Sequence, residues 1–193
     1  MSAAELPLAA ADLSRVTVVG TSCAGKSTFA RGLSRILDIP CTEIDALYWL
    51  PDWQTRDRAE LRALVDEAVD RPRWVLDGNY GSLRDLIWPR ATAVIWLNYA
   101  FATVCRRALA RTLRRSIDQE SPFPGSRESV ARSFLSRESI LLRVIRSYPQ
   151  RQRQYRAVFD GNDFPHLSRI EFRTCRSADA ALQKLESTSM EKN

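Results

Sequence analysis

The stretch VTVVGTSCAGKST, residues 16 to 28, joins an apolar run to a glycine-rich loop. Gly20, four further residues, then Gly25, Lys26 and Ser27 match the Walker A pattern G-x-x-x-x-G-K-[ST]. The segment after the loop is amphipathic, so the context is strand, loop and helix. In that context the loop amides and the positive end of the helix dipole face one point and bind an anion. The stretch therefore predicts a triphosphate site formed by Gly20, Thr21, Ser22, Cys23, Ala24, Gly25, Lys26, Ser27 and Thr28.

Lys26 is the only lysine in the first 183 residues of a chain that contains 26 arginines. An ammonium is a compact charge on a thin stem, whereas a guanidinium is a broad plane, so lysine fits a narrow ring of backbone amides better. We expect Lys26 to bridge the β- and γ-phosphates and the Ser27 hydroxyl to bind Mg²⁺. A glycine-rich turn with a surface lysine is the alternative, but it does not explain why the chain departs from arginine here.

Short apolar runs alternate with segments of helical period, which is typical of β-α units around a parallel sheet. Residues 178 to 186 predict a final short helix. A long helix is expected from about Glu128, which Pro149 kinks or ends, after a loop over 116 to 128 that contains two prolines and a glycine. The five predicted strands are residues 15–20, 41–45, 73–77, 93–98 and 168–173.

Two carboxylates end predicted strands, Asp45 after CTEI and Asp77 after RWVL. Ligands of open parallel sheets gather at the carboxyl ends of the strands, so both should face one crevice. Either could serve the metal or an acceptor hydroxyl. We assign Asp77 to Mg²⁺ and Asp45 to the acceptor, with a helix-capping or turn role for Asp45 as the alternative.

The net charge of +6 is concentrated in one segment. Residues 106 to 156, here called the basic block, contain thirteen arginines and four acidic residues. Such a block indicates an anionic partner, which could be nucleotide phosphates, nucleic acid or an acidic membrane. The alternative is that most of these arginines are solvated on helix faces.

The four cysteines are far apart in sequence and the single histidine has no neighbouring ligand, so neither a disulfide framework nor a zinc site is indicated. No segment reaches the ~18 apolar residues of a membrane span, and the N-terminus lacks the features of a signal peptide. We therefore expect a cytoplasmic protein with reduced thiols and no membrane partner. Residues 1–14 are expected to be disordered, 15–187 to form one domain, and 188–193 to form a tail.

Several motifs together resemble the adenylate kinase-like P-loop proteins of the DNA topology modulation protein family. They are the phosphate loop, IDALYW (44–49), DGNY (77–80), VIWLN (94–98) and RRALARTLRR (106–115), and the likeness covers residues 15 to 187. The resemblance implies an α/β P-loop NTPase fold of the nucleoside-monophosphate-kinase type, a three-layer α/β/α structure with a five-stranded parallel sheet of order 2-3-1-4-5. It also implies an acceptor-binding insertion at about 46–72 and a helical lid at about 114–150.

The resemblance also implies site residues. Arg107 and Arg111 match the paired arginines that hold ATP phosphates at the base of the lid, and with Arg114 or Arg115 they share one helix face. Asp77 and Gly78 match the start of the adenylate kinase DGFPR segment. The arginine of that segment, which grips an acceptor phosphate, is missing here, and Arg84 is a candidate substitute.

The donor half thus resembles a kinase, while the acceptor stays unassigned. The aromatic residues Tyr48, Trp49 and Trp53 could line an acceptor pocket or could simply be buried under a loop. We expect a phosphotransferase that uses ATP and Mg²⁺ on a small acceptor, with Lys26, Asp45, Arg107 and Arg111 catalytic. The alternatives are a nucleic-acid-associated ATPase, which the absence of a recognised nucleic-acid-binding motif disfavours, and a nucleotide-binding regulator without turnover.

Overall fold

A computed structural model describes residues 7–118 and 140–190. Its sheet has five parallel strands in the order β2-β3-β1-β4-β5. The strands are β1 (Arg15–Gly20), β2 (Cys41–Glu43), β3 (Trp74–Asp77), β4 (Ala93–Leu97) and β5 (Ser168–Phe172). This order confirms the predicted fold class and places the phosphate loop at the carboxyl end of the central strand.

Helices connect these strands along the described chain. The α-helices are α1 (Pro7–Ala10), α2 (Lys26–Leu37), α3 (Ile44–Tyr48), α4 (Arg58–Val69), α5 (Arg84–Ile87), α6 (Phe101–Asp118), α7 (Ile140–Asp160) and α8 (Cys175–Met190). Short 3-10 turns lie at Pro51–Trp53 and Gly81–Leu83. No helix in the described ranges is both long and apolar enough to span a membrane.

The sheet separates two apolar clusters because successive strand residues point to opposite faces. Val18 belongs to the cluster that contains Leu33 of α2 and Ala178 of α8. Val19 belongs to the other cluster, with Val65 of α4. All five of these side chains are buried, so the core consists of one apolar layer on each face of the sheet.

The structure corrects the expected surroundings of Asp45. The predicted second strand covers residues 41 to 45, but β2 ends at Glu43 and α3 begins at Ile44. Ile44 is fully buried in the cluster that contains Val19, and this packing favours a helical turn over a further strand residue. Asp45 therefore lies in the first turn of α3 and not at a strand end.

Two further expectations concern α7 and the N-terminus. Pro149 does not end α7, which continues to Asp160, because buried Val144 and Tyr155 anchor the helix to the core on both sides of the proline. The alternative expectation of a kink at Pro149 stays a prediction. The expected disorder of residues 1–14 stays a prediction: residues 1–6 lie outside the described chain, and the described part contains α1, with Leu8 buried. Residues 119–139, which hold most of the predicted loop and lid, lie outside the described chain.

Candidate active site

Two glycines allow the phosphate loop its shape. Gly25 caps α2 with φ 91, and a Cβ there would lie 2.8 Å from Arg107 Nη1. At Gly20 a Cβ would lie 2.8 Å from the backbone oxygen of Leu97 on β4. Glycine tolerates both the positive φ and the close approach, whereas a larger residue would strain the loop. The first and last residues of the loop are therefore held close to their neighbours.

Lys26 folds back over its own loop. Its Nζ lies 3.4 Å from the carbonyl oxygen of Thr21, and the side chain is half-buried. Burial lowers the pKa of Lys26, and the negative charges of Asp77 and Asp45 offset part of that shift. The ammonium is thus held over the loop, and an anionic ligand there would provide a further counter-charge.

Ser27 and Asp77 form the second part of the site. Ser27 Oγ donates a hydrogen bond of 2.5 Å to Asp77 Oδ2, while the buried Asp77 Oδ1 has no hydrogen-bond partner in the described structure. Burial raises the pKa of Asp77, and Lys26 and the Ser27 hydroxyl offset only part of this effect. A buried carboxylate oxygen without a partner is unusual and calls for an explanation such as an ion.

These two oxygen groups fit a magnesium ion that is shared with phosphates. Mg²⁺ prefers oxygen ligands and is usually held by one or two protein groups, with waters and substrate phosphates completing its shell. No group of three or more His, Cys, Asp or Glu residues suited to a metal lies within the described ranges. The residues therefore suit a phosphate-bound Mg²⁺ better than a metal bound by protein alone.

Asp45 lies beside the phosphate site with an aromatic group around it. The Tyr80 hydroxyl donates to Asp45 Oδ1 at 2.7 Å. Tyr48 packs edge-on against Tyr80, with ring centroids 5.3 Å apart, and against Trp49 at 4.9 Å. The Asp45 side chain is exposed, so a ligand can reach it. The side chain of Trp53 lies outside the described part, and its predicted place in the pocket stays a prediction.

The two arginines expected at the base of the lid have different surroundings in the structure. Arg107 Nη1 donates to the carbonyl oxygen of Ala24 at 2.7 Å, and its guanidinium lies 5.5 Å from the Tyr99 ring centroid. Arg107 therefore contacts the phosphate loop directly. Arg111 is exposed one turn further along α6. The phosphate-binding roles of both residues stay predictions.

Sequence reasoning missed Arg151 and Asn79. Arg151 of α7 donates to the backbone oxygen of Asn79 at 2.7 Å, and its charge contributes to the lowered pKa of Lys26. Arg84, the candidate substitute for the missing acceptor arginine, instead stacks on Trp88 at 4.8 Å. Nothing in the sequence distinguished Arg151 from the other arginines of the basic block, because its place depends on how α7 packs.

The sequence comparisons are negative. No protein-family model matches the chain, and no curated protein matches it in sequence. The likeness to the DNA topology modulation family thus rests on the quoted motifs alone.

Solved structures do resemble the chain. A shikimate kinase from Acinetobacter baumannii in complex with shikimate has a TM-score of 0.56 at 19% identity, over 97% of this chain and 99% of that one. A shikimate kinase from Bacteroides thetaiotaomicron has a TM-score of 0.52 at 17% identity, over 90% and 97%. A gluconokinase from Sinorhizobium meliloti 1021 has a TM-score of 0.50 at 16% identity, over 94% and 98%. The chain has the nucleoside-monophosphate-kinase-like P-loop fold.

Proposed function

We propose that the protein is an ATP-dependent phosphotransferase that acts on a hydroxyl group of a small molecule. The observation that carries this proposal is the convergence of three groups at the carboxyl end of the sheet. They are the Lys26 ammonium, the Ser27–Asp77 pair and the Asp45 carboxylate, and the charges of both carboxylates act on Lys26. This arrangement supports a donor site with an acceptor-side carboxylate next to it.

Each residue has a distinct role in this proposal. The loop amides and Lys26 bind the phosphates, and Arg107 adds positive charge at the loop. Asp45 orients the acceptor hydroxyl and accepts its proton, while Tyr80 fixes the carboxylate through its hydrogen bond. The reaction transfers the terminal phosphoryl group of ATP to the acceptor oxygen and releases ADP.

Ser27 and Asp77 would hold Mg²⁺, which when bound neutralises charge on the phosphates. The hydrogen bond between the two side chains supports this role, because two oxygen groups so close together can bind one ion. Asp77 Oδ1 is the stronger support, because it has no hydrogen-bond partner among the described residues and a metal would satisfy it.

The printed names of the structural neighbours favour a small hydroxylated acceptor. One structure is described as a complex with shikimate and another as a gluconokinase. Both shikimate and gluconate are acids that carry several hydroxyl groups. For this chain we propose a small hydroxylated acceptor, without naming the compound. Nucleosides and nucleotides stay in the proposal, because the same phosphate-donor site could serve them.

Product analysis tests the proposal. The protein is incubated with MgATP and a panel of nucleosides, nucleoside monophosphates, sugars and hydroxy acids, and products are identified by mass spectrometry. Lys26→Ala should lose the activity, whereas Lys184→Ala, on α8 and outside the phosphate loop, should retain it. A phosphorylated acceptor supports the kinase. Release of ADP that only DNA or RNA stimulates would favour the nucleic-acid-associated ATPase, and binding of MgATP without turnover would favour the regulator.

A further inference from the structure

The side chain of Asn79 binds both backbone groups of Gly20, the first residue of the phosphate loop. Asn79 Oδ1 accepts from Gly20 N at 2.9 Å, and Asn79 Nδ2 donates to the Gly20 carbonyl oxygen. A side-chain amide has the same donor and acceptor as a peptide group. One side chain therefore satisfies the backbone of the residue at which β1 becomes the loop.

The register of the sheet explains this contact. β1 and β3 are parallel, and the last paired residues are Val18 and Asp77. Two residues further along both strands, Gly20 lies opposite Asn79, but β3 has already ended. The Asn79 side chain takes the place of the missing strand partner. On its other side Gly20 pairs with Leu97 of β4, so its peptide groups are held from both directions.

Two residues of α7 hold Asn79 in turn. The Tyr155 hydroxyl donates to Asn79 Oδ1 at 2.7 Å, and Arg151 donates to the Asn79 backbone oxygen at 2.7 Å. Tyr155 is buried, with its ring 5.7 Å from that of Trp96. α7, which begins inside the predicted lid, is thus connected to the phosphate loop through one asparagine.

We propose that Asn79 is a positioning residue that holds the phosphate loop in its nucleotide-binding shape and connects it to α7. The inference rests on the proposed nucleotide site. A loop that is already in its bound conformation loses less entropy on binding, which raises its affinity. Loss of Asn79 leaves two backbone groups of Gly20 without partners, so the loop takes up other conformations and affinity falls.

Thr92 provides a matched control at the opposite end of β1. Its Oγ1 accepts from Arg15 N at 3.0 Å and donates to the Asp12 carbonyl oxygen at 2.8 Å. Each variant removes side-chain hydrogen bonds to one end of β1: Asn79→Ala at Gly20, and Thr92→Val at Arg15. A purely structural role predicts that both lower the melting temperature and that neither changes nucleotide affinity.

The experiment is calorimetric titration of the full chain and the two variants with MgADP. We expect Asn79→Ala to raise the Kd at least about tenfold, the equivalent of ~1.4 kcal/mol, and Thr92→Val to leave it within twofold. Should Asn79→Ala not fold, Tyr155→Phe decides, because it keeps the ring and removes one bond to Asn79. For that variant we expect a rise of about threefold.

The outcomes separate the inference from the proposed function. If the wild-type chain binds MgADP and Asn79→Ala binds it equally well, the inference is overturned while the proposed function stands. An equal loss of affinity in Thr92→Val also overturns it, since the effect would then reflect general stability. If the wild-type chain does not bind MgADP, both fail.

Discussion

Replacement of Asp77 with asparagine should stabilise the protein while it destroys the site. Burial raises the pKa of Asp77, even though Lys26 and the Ser27 hydroxyl act in the opposite direction. The folded state therefore favours the neutral carboxyl more than the unfolded state does. The contribution of this group to stability is present at low pH and is lost as pH rises through its folded pKa. Above that pKa the wild-type protein carries a buried charge that Asp77→Asn removes.

The magnitude follows from the buried charge. Asparagine keeps an oxygen for Ser27 and leaves an amide nitrogen where Asp77 Oδ1 has no hydrogen-bond partner among the described residues, so an unsatisfied polar atom remains in both proteins. Replacing buried charges with neutral groups often stabilises a protein by about 1–4 kcal/mol, and the unsatisfied amide and the lost attraction to Lys26 reduce this, so we expect a gain of about 1–2 kcal/mol. For a chain of this size each kcal/mol corresponds to about 2–4 °C in Tm. Asp77→Asn should therefore melt about 2–8 °C higher.

The assay is differential scanning calorimetry in EDTA, without nucleotide, between pH 5 and 8. The advantage of the variant should shrink as pH falls, because the wild-type carboxyl then takes up a proton. Asp45→Asn is the control, since Asp45 is exposed and should give little change. With MgADP added, wild type should gain stability by ligand binding and Asp77→Asn should gain much less.

A variant that melts below wild type at pH 7 in EDTA would refute this reasoning. So would an advantage that grows as pH falls. Either result would mean that the Lys26–Asp77 attraction exceeds the cost of burying the carboxylate.

The remaining predictions concern charge and shape at the phosphate loop. Lys26→Arg should lose nearly as much turnover as Lys26→Ala while both keep the wild-type circular dichroism spectrum, and an active arginine variant would contradict the steric argument. Gly25→Ala should cost about 1–2 kcal/mol in unfolding free energy through its positive φ and weaken MgADP binding by displacing Arg107. Arg107→Ala and Arg111→Ala should each slow phosphoryl transfer at least ~100-fold in single-turnover kinetics. DNA binding should be weak and reversed by MgATP, whereas a site that engages six or more arginines of the basic block would give a log–log salt slope near −5 or steeper.

Much of the fold follows from local pattern. The apolar run, the glycines and Lys26 predict β1, the loop and α2, and four of the five strand predictions match the structure to within one residue at each end. The second strand was predicted too long because Ile44 belongs equally well to an apolar strand and to a buried helix turn. Pro149 predicts a kink or an end of the helix, and tertiary packing on both sides of it outweighs the local cost, so that α7 does not end there.

The parts of the site that could not be predicted depend on contacts between distant segments. Asn79 reaches Gly20 because β3 ends two residues before the register would pair them. Arg151 reaches the backbone of Asn79 because α7 packs across the carboxyl ends of β3 and β4. Neither contact can be predicted from a single sequence, because Asn79 resembles an ordinary turn residue and Arg151 is one of many arginines in the basic block.

The central position of β1 also has a consequence for synthesis. β1 emerges from the ribosome early, but its partners β3 and β4 follow roughly 60 and 80 residues later, and Tyr155 later still. Sheets built from such distant pairings fold slowly and leave apolar strand edges exposed meanwhile. A nascent chain that ends before β4 holds an apolar β1 with one edge unpaired. Termination of synthesis between β3 and β4 should therefore yield fragments that aggregate, which sedimentation of stalled chains would detect.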